Sequence, residues 1–255
     1  MAYQPRVMIL DIENSMALGW FFGKVYETTV NHVEEQSYIL SYSYSHYPSE
    51  KVTTVALCDF KGYKKGSDCE EELMKGLWEL LNEADIVVGQ NADAFDIKHI
   101  NTRFAFYGIT PPRPYKTVDT LKKIKSVFNL PSNKLDFVCN YFGLGSKLPH
   151  TGKNLWLACM NGDRAAWKTM KRYNAHDIKL THKLYTLLLP WGKQPNINLL
   201  THRQACPRCQ STRLQSRGNA IYASGQTYTR FQCMECGGWG KRFDGEKTSK
   251  VTVRT

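Results

Sequence analysis

Val7-Met8-Ile9-Leu10-Asp11-Ile12-Glu13 is an apolar run that ends in two acids. The run has the composition of a buried β-strand, and residues two apart on a strand point to the same face of the sheet. Asp11 and Glu13 therefore project together, on the side opposite to Leu10 and Ile12. Such a pair of carboxylates suits a divalent metal ion, but an Asp-x-Glu pair is also common at solvated strand ends. The rest of the sequence must distinguish these two interpretations.

The composition is that of a globular protein with a basic surface. The 255 residues include 42% apolar residues and give a net charge of +11, and this length allows one large domain or a domain with a small appendage. The sequence contains no run of about 18 apolar residues and no signal-peptide pattern at its start, so we expect a cytoplasmic protein without membrane contact. The charge favours an anionic partner, and nucleic acid is the leading candidate.

A segment with two prolines and a glycine, at residues 190–196, interrupts the last helical pattern of the chain. It predicts a first domain at residues 1–191 and, at residues 192–255, a linker followed by a small second domain. From residue 196 onward the chain has ten Lys/Arg and three Asp/Glu. The small domain therefore carries most of the surplus positive charge.

Hydrophobic periodicity predicts a β-rich start followed by a mostly helical remainder. Tyr38, Leu40, Tyr42 and Tyr44 alternate with serines at the period of a strand. Further strands are predicted at residues 18–23, 52–57 and 85–89. The predicted helices begin near residue 70 and then cover about 95–107, 120–128, 133–142 and 163–189.

Two later segments offer partners for the first two acids. Asn91-Ala92-Asp93-Ala94-Phe95-Asp96 lies where a predicted strand gives way to a helix, a frequent place for functional side chains in α/β folds. Asp96 also fits an ordinary carboxylate at a helix N-terminus. In Tyr173-Asn174-Ala175-His176-Asp177, Tyr173 and Asp177 share one helix face, which a buried tyrosine beside a surface aspartate would also explain.

In this order, Asp-x-Glu, Asn-x-x-x-Phe-Asp and Tyr-x-x-x-Asp resemble the DEDD superfamily of 3′–5′ exonucleases. The closest resemblance is to the tyrosine branch, which includes the proofreading domains of family B DNA polymerases, and within it to stand-alone exonucleases of bacteriophages. The segments at residues 132–137 and 141–145 also look like that phage group, whereas a histidine-branch enzyme would have histidine at the position of Arg172. The resemblance covers residues 7–191 and implies an α/β, RNase H-like mixed sheet flanked by helices.

The resemblance also implies a two-metal-ion site that hydrolyses phosphodiester bonds. Asp11 would bridge two magnesium or manganese ions, Glu13 and Asp177 would complete the site of the ion that activates water, and Asp96 would support the other ion. Because free tyrosine has a pKa of about 10, Tyr173 is better suited to orient the attacking water than to remove its proton.

Two further residues would lie near the terminal nucleotide in this family. Asn91 and Phe95 are therefore candidate nucleic-acid contacts, and Phe95 would stack on a base. A phenylalanine at this point of an amphipathic helix is equally compatible with a place in the core.

Two cysteine pairs, Cys206-Pro207-Arg208-Cys209 and Cys233-Met234-Glu235-Cys236, are separated by 23 residues. Four thiolates at this spacing predict one tetrahedral, structural zinc ion, and the module resembles a zinc ribbon. The module is too small to fold on apolar burial alone, so zinc should supply much of its folding free energy. The other four cysteines are scattered, which does not suggest a disulfide framework.

The ribbon interleaves basic with aromatic residues, as nucleic-acid-binding modules do. Arg213, Arg217 and Arg230 are its candidate nucleic-acid contacts, and Tyr222 is among the aromatic neighbours. Two alternatives are that the aromatic residues merely cover a small core beneath solvated charges, and that the ribbon docks a protein partner.

Together these patterns predict a 3′–5′ exonuclease that degrades DNA, preferably single-stranded, and releases nucleoside 5′-monophosphates. An exoribonuclease of the same superfamily is the alternative enzyme, since no residue visibly reads a 2′-hydroxyl. A non-catalytic nucleic-acid-binding adaptor is the alternative from another class. A lost carboxylate would mark such an adaptor, and all four carboxylates are present.

Overall fold

The computed structural model describes residues 5–22, 30–191, 195, 205–221, 227–243 and 251–253. Its strands are β1 (Val7–Asn14), β2 (Leu18–Trp20), β3 (His32–Glu35), β4 (Ile39–Tyr47), β5 (Val52–Ala56), β6 (Ile86–Gly89), β7 (Lys116–Asp119), β8 (Leu214–Ile221), β9 (Thr227–Cys233), β10 (Trp239–Phe243) and β11 (Val251–Val253). Its α-helices are α1 (Glu70–Glu83), α2 (Asp96–Phe106), α3 (Thr120–Val127), α4 (Leu135–Tyr141), α5 (Lys153–Met160) and α6 (Arg164–Leu188). A 3-10 helix, Leu57–Asp59, follows β5.

Five strands form a mixed sheet in the order β5-β4-β1-β6-β7. β1 lies at the centre, antiparallel to β4 and parallel to β6, and the two edges are an antiparallel β4–β5 pair and a parallel β6–β7 pair. Helices cover both faces, so the α/β class and the mixed sheet flanked by helices expected from the sequence are confirmed.

The alternation of side chains along β1 divides the core between the two faces of the sheet. Its even-numbered apolar residues pack in one cluster with α1 and α2, whereas Val7 and Ile9 pack with Ile178 of α6 in another. Because odd-numbered positions share a face, Asp11 and Glu13 continue the face that α6 covers. The register of β1 therefore directs both acids towards that helix.

The serines of β4 provide the space that the acids and α6 occupy. Ser41 and Ser43 lie directly opposite Glu13 and Asp11 in the antiparallel pair, and both serines are buried. Residues opposite one another in such a pair share a face of the sheet. Small polar side chains at these positions let α6 approach closely while still offering hydrogen bonds to it.

The predicted strands and helices of the body are present, with ends that differ by one to three residues. The strand predicted at residues 18–23 is present as β2, and the structure adds α5, β7 and β3, the partner of β2 in a hairpin. β3 and β7 have four residues each, and such short strands carry too few positions to display a period. The hairpin also leaves apolar side chains exposed, including Trp20 and Phe22, which is the opposite of the alternation expected for a half-buried strand.

The small second sheet has the strand order β11-β10-β9-β8 and packs on the body. Cys209 and Cys236 contact the core cluster of Val7, and the buried Arg208 donates from Nη1 to the Leu189 carbonyl oxygen at 2.7 Å. A guanidinium there satisfies a carbonyl group at the C-terminal end of α6. Residues 192–194 and 196–204, around the predicted domain boundary, lie outside the described residues.

Within the described ranges, no helix has both the length and the apolar character needed to cross a membrane.

A buried ion pair ties α1, α2 and the start of β4 together. The Glu70 carboxylate accepts from the Ile39 N–H at 2.8 Å, from Arg103 Nε at 2.8 Å and Nη2 at 2.5 Å, and from the Tyr107 hydroxyl at 2.8 Å. The Glu70 side chain is fully buried and the Arg103 side chain is only 10% exposed. Every strong acceptor direction of this carboxylate is therefore used.

We expect Arg103→Met to lower the free energy of unfolding by roughly 3–5 kcal/mol, because it leaves the Glu70 charge buried without its cation. The matched control is Lys75→Met. Lys75 pairs with Glu71 at the exposed surface of α1, the helix that carries Glu70, and loss of an exposed ion pair has little effect on stability. Urea unfolding of both variants measures the difference. Equal midpoints for the two variants would contradict this role of Arg103.

Candidate active site

Three carboxylates meet where α6 crosses the end of β1. One carboxylate oxygen from each of Asp11, Glu13 and Asp177 lies within 4.8 Å of the other two. The strand places the first two acids one pleat apart. Asp163 caps α6 by accepting from the N–H groups of the first turn, and it thereby fixes where the helix begins and where Asp177 projects.

Asp96 lies beside this cluster but is bound differently. It is buried at the first position of α2, and its Oδ1 accepts a hydrogen bond from the Ile12 N–H at 3.0 Å. The backbone between the two strand acids therefore holds the fourth acid. The charge of Asp96 raises the pKa of Asp11, so the two carboxylates interact electrostatically although they do not share the three-acid cluster.

The environment of the acids favours either their protonated form or the binding of a cation. Burial, followed by the charges of Asp96 and Glu13, raises the pKa of Asp11 well above its usual range. Burial and then Asp177 raise the pKa of Glu13 to about 8, and burial raises the pKa of Asp96 to about 7. Asp177 Oδ1 is buried and has no hydrogen-bond partner among the described residues. An unpartnered carboxylate oxygen among crowded acids fits a divalent cation.

Lys147 brings a positive charge to one side of the cluster. Its Nζ donates to Asp177 Oδ2 at 2.5 Å and to the Tyr173 hydroxyl oxygen at 3.0 Å. Burial lowers the pKa of the Lys147 ammonium, but the pairing with Asp177 outweighs it and raises that pKa overall. Lys147 therefore stays charged and lowers the pKa of Asp11 and Glu13 relative to a site without it.

Tyr173 keeps its proton in this environment. Burial and the Asp177 charge raise the pKa of Tyr173 to about 12. Because its oxygen accepts from Lys147, the hydroxyl hydrogen is free to donate to a water or a substrate. His150 and Trp156 contact the ring edge-on, with centroid distances of 4.8 Å and 6.0 Å, and these contacts restrict the direction in which the hydroxyl points.

Asn174 connects the helix to both strands. Its Nδ2 donates to Asp11 Oδ2 at 2.6 Å, and its Oδ1 accepts from the hydroxyls of Ser43 at 2.7 Å and Ser41 at 3.2 Å. The amide is fully buried. It orients the Asp11 carboxylate in the way that outer partners orient metal ligands.

Lys147 and Asn174 are site residues that the sequence motifs did not predict. Asn174 had a signal, because a polar amide occurs on α6 between Met170 and Ile178, at the period of the buried face. Lys147 had none, because it lies outside the regular elements and a lysine in a connection is ordinarily solvated.

The two residues predicted to contact nucleic acid, Asn91 and Phe95, lie in the connection between the carboxyl end of β6 and α2. Phe95 is 42% exposed, and its ring centroid is 4.4 Å from that of His99, whose Nδ1 lies 2.7 Å from Asn14 Nδ2. The alternative that Phe95 belongs to the helix core is therefore wrong. Asn91 has a positive φ of 60° and donates its N–H to Asp119 Oδ1 at 3.0 Å.

The four paired cysteines converge as their spacing predicted. Cys206 and Cys236 have sulfurs 3.7 Å apart, and those of Cys209 and Cys233 are 3.6 Å apart. A tetrahedral zinc with bonds of about 2.3 Å would separate its sulfurs by about 3.8 Å. Hydrogen bonds from Cys206 and Cys209 lower the pKa of Cys236 to about 4, whereas hydrogen bonding with Cys206 and Cys236 raises the pKa of Cys209. The cluster is suited to a metal ion.

The three predicted arginines of the ribbon have different surroundings. Arg217 donates from Nη2 to Gln232 Oε1 at 2.9 Å, and Arg230, two residues from Gln232 on β9, shares that face of the sheet. Arg213 instead pairs with Glu235 at 3.0 Å near the cysteines. Tyr222 lies outside the described residues.

The mixed sheet, its flanking helices and the buried carboxylates define an α/β protein with a candidate metal site. A family model of the RNase H superfamily matches residues 26–189, and the chain belongs to that superfamily. No curated protein matches the chain. Members of the superfamily are generally nucleases that use divalent metal ions, so the fold is nuclease-like. The matched residues include Asp96, Tyr173 and Asp177 and begin after β1.

We expect the metal-free protein to lose stability as the pH rises. The pKa values of Glu13 and Asp96 in the folded protein, about 8 and about 7, exceed the usual values. The contribution of these two acids to the free energy of unfolding is therefore fully present below about pH 4 and is lost as the pH rises through 7 and 8. Manganese should then raise the unfolding temperature by several degrees near pH 8 and by less near pH 6, where protons compete.

Thermal unfolding with EDTA or manganese at the two pH values measures this effect. Asp11→Asn is the control, because it removes one of the crowded charges without a large change in shape. The control should show a weaker dependence on pH and a smaller manganese effect. An equal manganese effect at both pH values in the unmodified protein would contradict the interpretation.

Proposed function

We propose that the protein is a metal-dependent 3′–5′ exonuclease of the tyrosine branch of the DEDD superfamily, acting on DNA and preferably on single strands. The observation that carries this proposal is the convergence of Asp11, Glu13 and Asp177 within 4.8 Å, next to the hydroxyl of Tyr173. The order of the motifs resembles that of 3′–5′ exonucleases. The direction of degradation and the exonucleolytic mode are inferred from that resemblance. The products would be nucleoside 5′-monophosphates.

Two magnesium or manganese ions, when bound, would supply an activated water and stabilise the leaving 3′ oxygen. Asp11, Glu13 and Asp177 would hold one ion, and Asp11 with Asp96 the other. Tyr173 would donate its free hydroxyl hydrogen to the attacking water and so set its direction. Lys147 would hold Asp177 and Tyr173 in place and would also favour the ionised form of the acids.

Exposed aromatic side chains favour unpaired bases as the ligand. Trp20, Phe21 and Phe22 follow Glu13 closely in the chain and are 63%, 55% and 82% exposed. Together with Phe95 they offer aromatic surfaces on which successive bases can stack without a requirement for sequence. Single-stranded DNA and single-stranded RNA both have unpaired bases that can stack in this way. The preference for DNA therefore rests on the resemblance to family B proofreading domains.

A non-catalytic adaptor explains the buried acids less well. Burial of several like charges raises their pKa values and costs folding free energy, and a binding scaffold gains nothing from that cost. An enzyme gains a metal site. Retention of all four carboxylates, each buried or half-buried, therefore supports the catalytic proposal.

The proposal for the C-terminal module is a zinc ribbon that binds nucleic acid. Arg217, Arg230 and Lys241 lie on one face of its sheet, because Arg230 and Lys241 are opposite one another in the register, while the other face buries Phe231. The cysteine end packs on the body. The basic face is therefore the surface that remains for an anionic strand, and a protein partner is the alternative.

Asp11→Asn should reduce hydrolysis of a 5′-labelled single-stranded DNA by more than about 100-fold, because loss of a ligand exceeds the 10–100-fold effect of losing an outer partner. Tyr173→Phe should reduce it by roughly 10–100-fold, since only the hydroxyl is removed. Denaturing gels that resolve single-nucleotide steps, with and without magnesium, measure rate and polarity. RNA of the same sequence tests the ribonuclease alternative.

Both variants must still unfold in one cooperative transition, which shows that a loss of activity is not a loss of folding. Full activity of Asp11→Asn with either metal would refute the two-metal site. Full activity of Tyr173→Phe would remove Tyr173 from the mechanism, and internal cleavage products would refute the exonucleolytic mode.

Arg217→Glu together with Arg230→Glu should weaken binding of single-stranded DNA and flatten its salt dependence by roughly 0.7 per lost phosphate contact. Arg213→Glu is a useful comparison, because Arg213 already pairs with Glu235, and it should have a smaller effect. Fluorescence anisotropy across a salt series, in an Asp11→Asn background, measures both. Identical curves for the double variant and the background would favour protein docking.

A further inference from the structure

A second concave surface lies between the segment that follows β5 and the first turns of α6. It is an open cleft of about 880 Å³, a volume in the range of small-molecule and substrate sites. The charged side chains that line it are Asp59, Lys61, Lys64, Arg164, Lys168 and Lys171. We call this surface the basic cleft.

Most of the positive charge in the basic cleft has no counter-charge among the described residues. Lys171 pairs with Asp59 at 2.6 Å. Within the part of the chain that the structure describes, no carboxylate lies within 4.0 Å of the side-chain nitrogens of the other four cations, Lys61, Lys64, Arg164 and Lys168. The cleft has a net charge of +4, which equals the net charge of the whole of residues 1–195, with 24 Lys/Arg and 20 Asp/Glu.

The floor of the basic cleft is aromatic and rigid. Tyr63 and Trp167 pack edge-to-face with ring centroids 5.5 Å apart, and the Tyr63 hydroxyl donates to the Cys159 carbonyl oxygen at 2.9 Å. At one wall Gly162 has a φ of +83°, and a Cβ there would lie 2.5 Å from the Lys64 carbonyl oxygen. The two segments approach so closely that the shape of the cleft is preformed.

The basic cleft is separate from the acidic cluster. Arg164, Lys168 and Lys171 follow the spacing of four and three residues that places side chains on one stripe of a helix. At about 100° per residue, Tyr173 lies on the opposite side of α6 from this stripe. Along the helix axis, Arg164 and Asp177 are roughly 20 Å apart at 1.5 Å per residue.

We propose that the basic cleft binds the phosphate backbone of a nucleic-acid strand, at a distance from the carboxylates. The stripe from Arg164 to Lys171 extends roughly 10 Å along the helix axis, which is longer than one phosphate group and suits successive phosphates of a chain. Lysine and arginine around a groove are the usual donors to such a backbone. The proposal extends the function proposed above by adding a second contact for the same class of ligand.

The test is the double charge reversal Arg164→Glu with Lys168→Glu in the full chain carrying Asp11→Asn. Glutamate in the first turns of a helix interacts favourably with the helix dipole, so the helix should tolerate both changes. The matched control is Lys116→Glu with Lys125→Glu, which changes the charge equally at exposed positions of β7 and α3. β7 is the sheet edge opposite to β5.

Fluorescence anisotropy with a labelled single-stranded DNA across a salt series gives affinity and salt slope. The slope of the cleft variant should be shallower by roughly 1.4, or 0.7 for each of two lost contacts on a single strand, while the control keeps the slope of the background protein. Equal slopes and affinities for the two double variants, with unchanged unfolding temperatures, would overturn the proposal.

A competition arm distinguishes a strand from a free mononucleotide. A deoxynucleoside 5′-monophosphate should displace the DNA only at a large molar excess of phosphate, and efficient displacement at matched phosphate concentration would overturn the strand assignment. Because binding is measured without hydrolysis, absence of nuclease activity would leave this result standing. Conversely, if the protein is a nuclease but the cleft variant binds DNA as the background protein does, the proposal for the basic cleft is refuted and the proposed function is not.

Discussion

The Asn174 side chain is the contact on which the geometry of the acidic site depends. It joins α6 to β1 through Asp11 and to β4 through Ser43, with hydrogen bonds of 2.6 Å and 2.7 Å. Because Tyr173 and Asp177 belong to the same helix, any shift of Asn174 would move them relative to the strand acids. A buried amide that uses both its donor and its acceptor fixes the register between helix and sheet more strictly than apolar packing does.

The acidic site lowers the stability of the folded state, and interactions elsewhere in the body offset that loss. Carboxylates with raised pKa values destabilise the folded state once they ionise, and Lys147 compensates only part of that charge. The rest of the body offers favourable packing: the apolar residues of β1 are buried on both faces of the sheet, and Glu70 and Arg103 form a buried ion pair. A protein can keep such a strained cluster where ligand binding requires it if its core supplies the stability.

The sequence contained enough information for the sheet, most helices and the gathering of the acids. Period and spacing act locally, so the strand of Asp11 and the helix of Tyr173 could be read directly, and the order of motifs then linked them. The contacts of Lys147 and Asn174 could not be predicted in this way. Ser43 and Asn174 are 131 residues apart, and Lys147 and Asp177 are 30 apart, so only the folded chain brings each pair together. The basic cleft could not be predicted from the sequence for the same reason, because its two walls come from separate segments of the chain.

The ribbon is coupled to the body more closely than a flexible appendage would be. Its cysteine end contacts the core cluster of Val7, and Arg208 bonds to the end of α6, so the four-cysteine end and the helix that carries Tyr173 support one another. This contact orients the basic face of the ribbon relative to the body. The cysteine end of the ribbon and the basic cleft lie at opposite ends of α6, with Asp177 between them along the helix axis. Because the proposed exonuclease engages a 3′ terminus at its acids, the rest of the strand would leave in one direction, where a basic surface would hold its phosphates without any residue that reads its sequence.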